Sequence, residues 1–448
     1  MTIYNFFSKL FVLPVSDKIT GWNVASSLNF LKKSQYWSTK EIVEYQEKKL
    51  IDLINFSYEN IPYYKNLFDQ HNINPDSILK LSDLNKIPLL TKQQLVENFN
   101  SGSFGERKSK YLFNQSSGST GLKTRYYITP YAYGFNLATN LRGWDWMGYS
   151  IGDKMIKVTQ NKRKSKLKKY QDLINRTKLF ATEYSDLSTI EFENLLYKYK
   201  PDYLRCYPDP LQYFANKLKN LDVEKIKLKG INTTGNILFP EVRELIENKF
   251  ECEIFDSYSC DNGPNVFECP THNCYHVSEE QGICEVIDDN GSILSREGDV
   301  GRLIITNLVN TATPFIRYDT MDYVEIGPEK CECGRNLKTF KRIIGRNNDI
   351  IITPSGEMLI AQTFTTYFKY VEGIEQFQVI QDKKDHILFR LVSAKLISKN
   401  IQNDIISHWE NKTMHSIKFD IEQVNQIEPL QSGKFRFVVR DPSIEITF

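Results

Sequence analysis

Helical and strand patterns alternate along the chain, and this alternation is the feature that most limits its fold. Ser38–Glu41 has the form of a capping box, and the apolar spacing after it predicts an amphipathic helix. Glu241–Phe250 repeats the helical spacing and is followed by Cys252–Phe255, a short run typical of a strand. Such αβ units predict an α/β protein with wound sheets.

The chain has 448 residues, which favours a large domain followed by a smaller one. The pattern changes after Gly345 and Arg346, which predicts an N-terminal domain over residues 1–344 and a C-terminal domain over 345–448. The second is expected to be a small α+β domain. The sequence predicts a hairpin with strands at 376–380 and 387–392, a helix at 401–409 and a further strand at 417–424.

Charge and hydropathy exclude several classes of partner. A formal net charge of +2 gives no overall field for nucleic acid, and the basic run Lys162–Lys169 is interpreted as a solvated face, with a phosphate-binding patch as the alternative. No apolar stretch reaches the ~20 residues of a membrane-spanning helix. The apolar start Asn5–Pro14 lacks the features of a secretory signal, so we expect it to pack on the body of a cytoplasmic protein, with surface anchoring as the alternative.

A loop rich in serine, threonine and glycine, Ser116–Gly121, follows the apolar run Tyr111–Phe113. Glycine lets the backbone approach a ligand closely, and hydroxyl and backbone N–H groups are the donors that a polyphosphate needs. The lysine of a Walker loop is missing at the required spacing, which argues against a P-loop kinase or phosphohydrolase. Alone, the loop is equally compatible with a surface turn.

Four elements occur in the order of the motifs of one superfamily, that of acyl- and aryl-CoA synthetases, adenylation domains and luciferases. Ser116–Gly121 resembles its phosphate loop, and Arg317–Asp322 resembles its Tyr-Arg-Thr-Gly-Asp element, with Met321 in place of the glycine. Gly345–Asp349 resembles its Gly-Arg-x-x-Asp hinge, and Pro429–Arg436 is similar to its closing element. The resemblance spans nearly the whole chain.

Within that superfamily the chain looks like the phenylacetate-CoA ligase family, in particular its capsular-polysaccharide-associated branch. The narrower likeness rests on Asp256–Tyr258, Phe267–Pro270, His276 and Cys331–Arg335. It implies a large adenylate-forming domain, a small mobile C-terminal domain, and ATP and Mg²⁺ as cofactors.

The resemblance also implies a role for each matched residue. Lys434 would be the catalytic cation, and Asp261 or a neighbour would offer a carboxylate to Mg²⁺. Asp322 would hold the ribose, and Arg346 would lie at the hinge between the domains. The other implied nucleotide-binding residues are Ser116, Ser117, Gly118, Ser119, Thr120 and Gly121 at the phosphates, and Thr234, Gly235, Asn236, Ser257 and Tyr258 near the adenine and the acyl pocket.

Cysteine and histidine cluster in two short segments of the sequence. Thiolates and imidazoles in a set of four suit tetrahedral Zn²⁺, and with four protein ligands the metal would be structural. Resemblance to the capsule-linked branch favours Cys269, His276, Cys331 and Cys333 as ligands, with Cys274 or His272 as rival for the place of His276. Unliganded cysteines are the alternative.

Together these features favour an AMP-forming ligase that acts in two half-reactions. A carboxylic acid is activated as an acyl-adenylate, and the small domain then rotates and admits an acceptor, which is either the thiol of coenzyme A or an amine. A non-catalytic binding or scaffold protein of the same fold is the alternative. Motifs leave open the acid, the acceptor and the oligomeric state, for which a homodimer is one candidate.

Overall fold

The structure is a computed structural model that describes residues 3–105, 108–115, 124–159, 176–181, 186–260, 262–346, 350–354, 358–368, 371, 373–393, 395–428, 436–441 and 443–444. Its backbone divides into two compact units. The first consists of Met1–Asn236 with Ile246–Ile343, and the second of Ile237–Leu245 with Ile344–Phe448.

Helices dominate the first part of the chain and then alternate with strands. A π-helical turn, Ser8–Val12, joins the first two helices, and short 3₁₀ turns lie at Pro75–Ser77 and Leu81–Lys86. The α-helices of the described residues are α1 (Ile3–Phe7), α2 (Leu13–Thr20), α3 (Val24–Ser34), α4 (Thr39–Asn60), α5 (Pro62–Gln70), α6 (Lys92–Asn100), α7 (Pro130–Trp146), α8 (Asp186–Tyr199), α9 (Pro208–Lys217), α10 (Val223–Ile226), α11 (Pro240–Phe250), α12 (Ala361–Phe368) and α13 (Lys399–Lys412).

Most strands of the described residues belong to one sheet of twelve, in the order β11-β10-β12-β13-β14-β9-β8-β7-β6-β5-β3-β4. Its members are β3 (Met155–Thr159), β4 (Thr177–Ala181), β5 (Tyr203–Cys206), β6 (Gly230–Thr234), β7 (Ile254–Tyr258), β8 (Val266–Glu268), β9 (Tyr275–Val277), β10 (Gly282–Ile287), β11 (Ile293–Leu294), β12 (Val300–Asn307), β13 (Tyr318–Ile326) and β14 (Thr339–Arg346). Outside it, β1 (Leu112–Gln115) pairs with β2 (Arg125–Ile128).

The large sheet has a parallel half and an antiparallel half. Strands β4, β3, β5, β6 and β7 run parallel to one another, and described helices connect β4 to β5, β5 to β6 and β6 to β7. From β7 onward the pairings β7–β8, β8–β9, β9–β14, β13–β12 and β12–β10 are antiparallel. In the parallel half the carboxyl ends of β5, β6 and β7 lie along one edge, which is where open α/β sheets bind ligands.

A buried ion pair connects the helical layer to the start of β10. Arg142 of α7 and Glu280 are both fully buried, and Nη1 of Arg142 lies 2.8 Å from Oε1 of Glu280. Ser34 at the end of α3 donates to the same oxygen at 2.5 Å, and Arg142 also donates to the Ser278 hydroxyl at 2.9 Å. A charged pair without access to water depends on such partners.

The second unit contains a four-stranded sheet in the order β19-β18-β17-β20. Trp409 of α13 is fully buried and packs against Phe364, Phe389 and Phe419. The strands of this unit are β15 (Ile350–Ile352), β16 (Met358–Ile360), β17 (Gln376–Lys383), β18 (His386–Val392), β19 (Lys418–Gln423) and β20 (Val438–Arg440).

The apolar start of the chain packs on the body through buried polar residues and through Leu13, which contacts a core cluster that includes Trp22 and Phe135. Asn5 and Ser8 are each 1% exposed, and the Asn5 amide donates to the carbonyl of Ile151 at 3.1 Å and to Asp153 Oδ1 at 2.8 Å. The opposite side of this segment is apolar and exposed, and we call it the apolar N-terminal face: Ile3, Phe6, Phe7, Leu10, Phe11, Val15 and Ile19. Of the helices described, none is long and apolar enough to cross a membrane.

The predicted fold class is confirmed, and several elements lie where the sequence placed them. The capping box forms, since the Ser38 hydroxyl accepts from the Glu41 amide at 3.3 Å and the Glu41 carboxylate accepts from the Ser38 amide at 2.8 Å. The predicted αβ unit appears as α11 and β7, with the strand two residues later than expected. In the second unit the hairpin strands and the helix are longer than predicted.

Candidate active site and metal centre

The turns after β5 and β6 are braced against each other at the carboxyl edge of the sheet. Gly235 has φ +85°, and a Cβ there would lie 2.4 Å from a ring carbon of Tyr207, so this turn requires glycine. The Asn236 amide donates to the carboxylate of Asp209, which stands in the first turn of α9. Thr234–Asn236 thus lies beside Tyr207 and Asp209 at this edge of the sheet.

Tyr258 and Asp322 meet across the sheet edge, although they lie on different strands. The Tyr258 hydroxyl donates to Asp322 Oδ2 at 2.6 Å. Burial and the neighbouring Asp322 charge raise the pKa of Tyr258 well above its usual range, so the phenol stays a neutral donor. This hydrogen bond therefore links Asp322, which is predicted to hold the ribose, to Tyr258, which is predicted to lie near the adenine.

A bulge in β13 sets the position of Asp322. Met321 has φ +60°, the left-handed conformation that the glycine of the resembled motif would adopt without strain. Its amide donates to Asp319 Oδ1 at 2.8 Å, and the Asp322 amide donates to the Thr320 hydroxyl at 3.1 Å. Asp319 is fixed in turn by an ion pair with Arg302 at 2.8 Å. These contacts hold the left-handed residue in place.

Ser257 is engaged inside the sheet. Its hydroxyl donates to the carbonyl of Thr233 at 2.8 Å and accepts from the Asn232 amide at 3.2 Å. Asn232 accepts in turn from the indole of Trp144 at 3.1 Å. Because neighbouring strand residues point to opposite faces, Ser257 and Tyr258 do not share a face, and the structure does not bring Ser257 to Asp322.

The remaining predicted nucleotide residues fall outside what the structure describes. Arg346 is the last residue of β14, and its side chain is not among those described. The residues outside the described ranges are Ser116, Ser117, Gly118, Ser119, Thr120, Gly121, Asp261 and Lys434, together with Lys162–Lys169. Their roles, and the assignment of sites to domains 1–344 and 345–448, stay predictions.

Three cysteines and a histidine converge where the β8–β9 hairpin meets the turn before β14. The ligand atoms of Cys269, Cys274, His276 and Cys331 all lie within 4.8 Å of one another. The Cys331 sulfur is 3.3 Å from that of Cys269 and 3.7 Å from that of Cys274. Hydrogen bonds from Cys274 and His276 lower the pKa of Cys269, which favours the thiolate form that binds metals.

Cys333 lies next to this cluster and contacts the imidazole of His276. The Cys333 sulfur lies 3.2 Å from Nε2 of His276, and Nδ1 lies 3.3 Å from the carbonyl of Leu337. That carbonyl accepts from Nδ1–H and directs Nε2 to the thiols, as in metal-binding histidines. Burial lowers the pKa of His276, but hydrogen bonds to Cys269 and Cys333 outweigh it and raise the pKa to about 9.

The donor set fits a tetrahedral zinc ion. Three thiols and one imidazole converge, those of Cys269, Cys274, Cys331 and His276, and four such ligands are sufficient. Of the predicted ligands, Cys269, His276 and Cys331 belong to this group. Cys274, a predicted rival that is 1% exposed, stands in the group where Cys333 was expected, and Cys333 contacts His276. His272, the other rival, lies 3.2 Å from the Glu268 carboxylate instead.

Comparison with known proteins gives related chains that extend over most of this one. Residues 351–441 match the family profile described as CapK C-terminal domain. Protein CapK of Staphylococcus aureus is 22% identical over 417 residues, which cover 90% of this chain and 90% of that protein. Phenylacetate-coenzyme A ligase of Thermus thermophilus is 24% identical over 369 residues, which cover 75% of this chain and 77% of that protein.

Comparison with solved structures identifies the fold. The structure of 2-hydroxyisobutyryl-CoA ligase in the postadenylation state, in complex with R3-HIB-AMP, superposes with a TM-score of 0.75 at 17% identity and covers 91% of each chain. The family likeness that the motifs indicated is confirmed: protein CapK and the phenylacetate-coenzyme A ligases are homologues of this chain, and its fold is that of the adenylate-forming CoA ligases.

Proposed function

We propose that the protein is an AMP-forming ligase, which activates a carboxylic acid with ATP as an acyl-adenylate and then transfers the acyl group to a thiol or an amine. The observation that carries this proposal is the pairing of Tyr258 with Asp322 at 2.6 Å beside the Thr234–Asn236 turn. Its position at the carboxyl edge of parallel strands is suited to a nucleotide. The homology to phenylacetate-coenzyme A ligases supports the same chemistry.

The proposed chemistry assigns a task to each group of residues. Attack of the substrate carboxylate on the α-phosphate of ATP forms the acyl-adenylate and expels pyrophosphate, so negative charge builds at the phosphates. Asp322 accepts hydrogen bonds from the ribose hydroxyls, and Lys434 neutralises the developing charge. The donors of Ser116–Gly121 hold the phosphates, and ATP enters with Mg²⁺, for which Asp261 is the proposed ligand. The zinc would be held by the cysteine and histidine cluster and would only stabilise structure.

Exchange of labelled pyrophosphate into ATP, measured over a panel of carboxylic acids without acceptor, tests the first half-reaction. We expect exchange with at least one acid, and loss of about 100-fold or more in Lys434→Ala, because a preorganised cation at the transition state contributes that much. Lys384→Ala, which removes an exposed lysine from the turn between β17 and β18, is the matched control and should exchange normally.

Asp322→Asn tests the nucleotide site separately. We expect a raised KM for ATP, because the amide accepts ribose hydrogen bonds less well than a carboxylate. If ATP binds to the wild type but neither exchange nor AMP is found with any acid, the protein is a non-catalytic member of the fold. If ATP does not bind, both proposals are wrong.

Analysis of the reaction product tests whether the acceptor is coenzyme A or an amine. Incubation with ATP, the activated acid and either coenzyme A or an amine gives a thioester or an amide, and mass spectrometry separates the two products. The likeness to protein CapK over 90% of the chain leads us to propose that the product serves surface-polysaccharide assembly. Deleting the gene should then reduce an acylated or amidated surface polysaccharide, whereas an unchanged polysaccharide would contradict that role.

A further inference from the structure

The segment at residues 3–20 reverses the usual arrangement of a surface helix. Amphipathic helices of globular proteins turn their apolar side to the core. Here Asn5 and Ser8 are buried against the body, and each residue of the apolar N-terminal face is at least 50% exposed. Polar contacts also bind the segment to the body, since the Lys9 ammonium lies 3.4 Å from the Ser150 hydroxyl. An exposed apolar face of this kind is typical of a site that contacts a membrane or another protein.

The segment carries two lysines and one acidic residue, and the neighbouring Asp153 is buried beneath it against Asn5. Asp17 is the acidic residue of the segment, and both of its oxygens accept from backbone amides at the start of α3, from Val24 at 2.8 Å and Ala25 at 2.7 Å. Lys9 and Lys18 remain as cations on the segment. The Arg176 guanidinium adds a third, because it lies 5.0 Å from the centre of the Tyr4 ring.

We propose that the apolar N-terminal face inserts into the interface of a bilayer that contains anionic lipids. The α-helical residues Ile3–Phe7 and Leu13–Thr20 alone extend about 20 Å at ~1.5 Å per residue, which is enough to lie along the interface plane. Phenylalanine, leucine and isoleucine would enter the boundary between headgroups and acyl chains, while lysines at the border meet lipid phosphates. This is the pattern of interfacial helices, which bind a membrane without spanning it.

Charge favours this occupant over a second copy of the chain. A two-fold dimer buries the same patch on both subunits, so Lys9, Lys18 and Arg176 would meet their own like charges. An anionic surface instead attracts all three, by roughly fivefold in affinity for each cation near the surface.

Co-sedimentation of the purified full chain with vesicles tests the proposal. We expect binding to phosphatidylcholine vesicles that contain about one-third phosphatidylserine, and weaker binding to phosphatidylcholine alone. Phe7→Ser/Phe11→Ser should lower the partition coefficient at least ~10-fold, because two partly buried rings are lost from the apolar phase. Lys9→Gln/Lys18→Gln should weaken binding only to the anionic vesicles.

The matched control is Leu396→Ser, which removes an apolar side chain that is 90% exposed elsewhere in the protein and should leave binding unchanged. Thermal unfolding checks that each variant stays folded. The proposal is overturned if the wild type does not bind vesicles, or if Leu396→Ser reduces binding as much as the phenylalanine variant. It is also overturned if light scattering shows a dimer that Phe7→Ser/Phe11→Ser dissociates while vesicle binding is absent, because the occupant would then be a second copy.

Discussion

Arg142→Met should be among the most destabilising substitutions in the protein. It removes a guanidinium that is fully buried and leaves the Glu280 carboxylate, also fully buried, with the Ser34 hydroxyl as its remaining side-chain hydrogen-bond partner among the described residues. Removing one member of such a pair costs about 3–5 kcal/mol, because the remaining charge is neither hydrated nor neutralised. Urea unfolding followed by tryptophan fluorescence measures the change in the free energy of unfolding.

An exposed ion pair between α3 and α7 supplies a matched control. Lys32 of α3 and Asp145 of α7 lie 2.7 Å apart, but their side chains are 36% and 38% exposed. Water and salt screen such a pair, so Lys32→Met should cost less than ~1 kcal/mol. A larger loss in the free energy of unfolding for Arg142→Met than for Lys32→Met would identify burial of the ion pair as the cause.

A double substitution tests the mechanism further. Arg142→Met/Glu280→Leu replaces the pair with apolar side chains and should restore most of the lost stability, since buried pairs are often replaceable in this way. The pair is also incompletely satisfied, because Arg142 Nε and Glu280 Oε2 are buried without a hydrogen-bond partner among the described residues. The reasoning is refuted if Arg142→Met costs no more than Lys32→Met, or if the double variant is less stable than Arg142→Met.

Three further predictions concern the metal, the loop and pH. Cys331→Ser should reduce bound zinc from about one ion per chain to none in elemental analysis and should lower Tm, because it removes a ligand of the proposed structural zinc site. Gly235→Ala should cost about 1–3 kcal/mol in urea unfolding and slow pyrophosphate exchange, because it places a methyl group against a tyrosine ring at φ +85°. Burial opposes protonation of His386, but hydrogen bonds to Asp382 and Asp420 raise its pKa above 6.5. Its stabilising effect is therefore complete below pH 6.5 and is lost as the pH rises through the folded-state pKa. The free energy of unfolding of His386→Gln should lack this pH dependence. Identical pH profiles for the wild type and the variant would contradict the role of His386.

Local patterns predicted the elements that depend on near neighbours in the sequence. The capping box at Ser38 and the αβ unit ending in β7 were visible because caps and hydrophobic spacing act within a few residues. Most residues of the cysteine and histidine cluster could be singled out because they stand close together in two short segments of the sequence, and their role as zinc ligands stays a prediction.

Contacts between distant strands could not be predicted in this way. Cys274 was only a rival ligand, since its place in the cluster depends on how the β8–β9 hairpin closes. Ser257 was placed near the adenine and the acyl pocket by the family resemblance, and the resemblance did not reveal that strand alternation turns it to the face opposite Tyr258. The inward turn of Asn5 and Ser8 was equally hidden, because apolar residues surround them in the sequence.

The metal centre has a consequence for the order of folding. Cys269 and Cys331 are 62 positions apart, and β10, β11, β12 and β13 lie between them in the chain. Bringing the two thiols together before these strands pair would close this long loop without the strand contacts that offset its entropy. If the cluster holds zinc as proposed, the complete ligand set would therefore form late in folding, and the rate of zinc uptake would report pairing of the antiparallel strands.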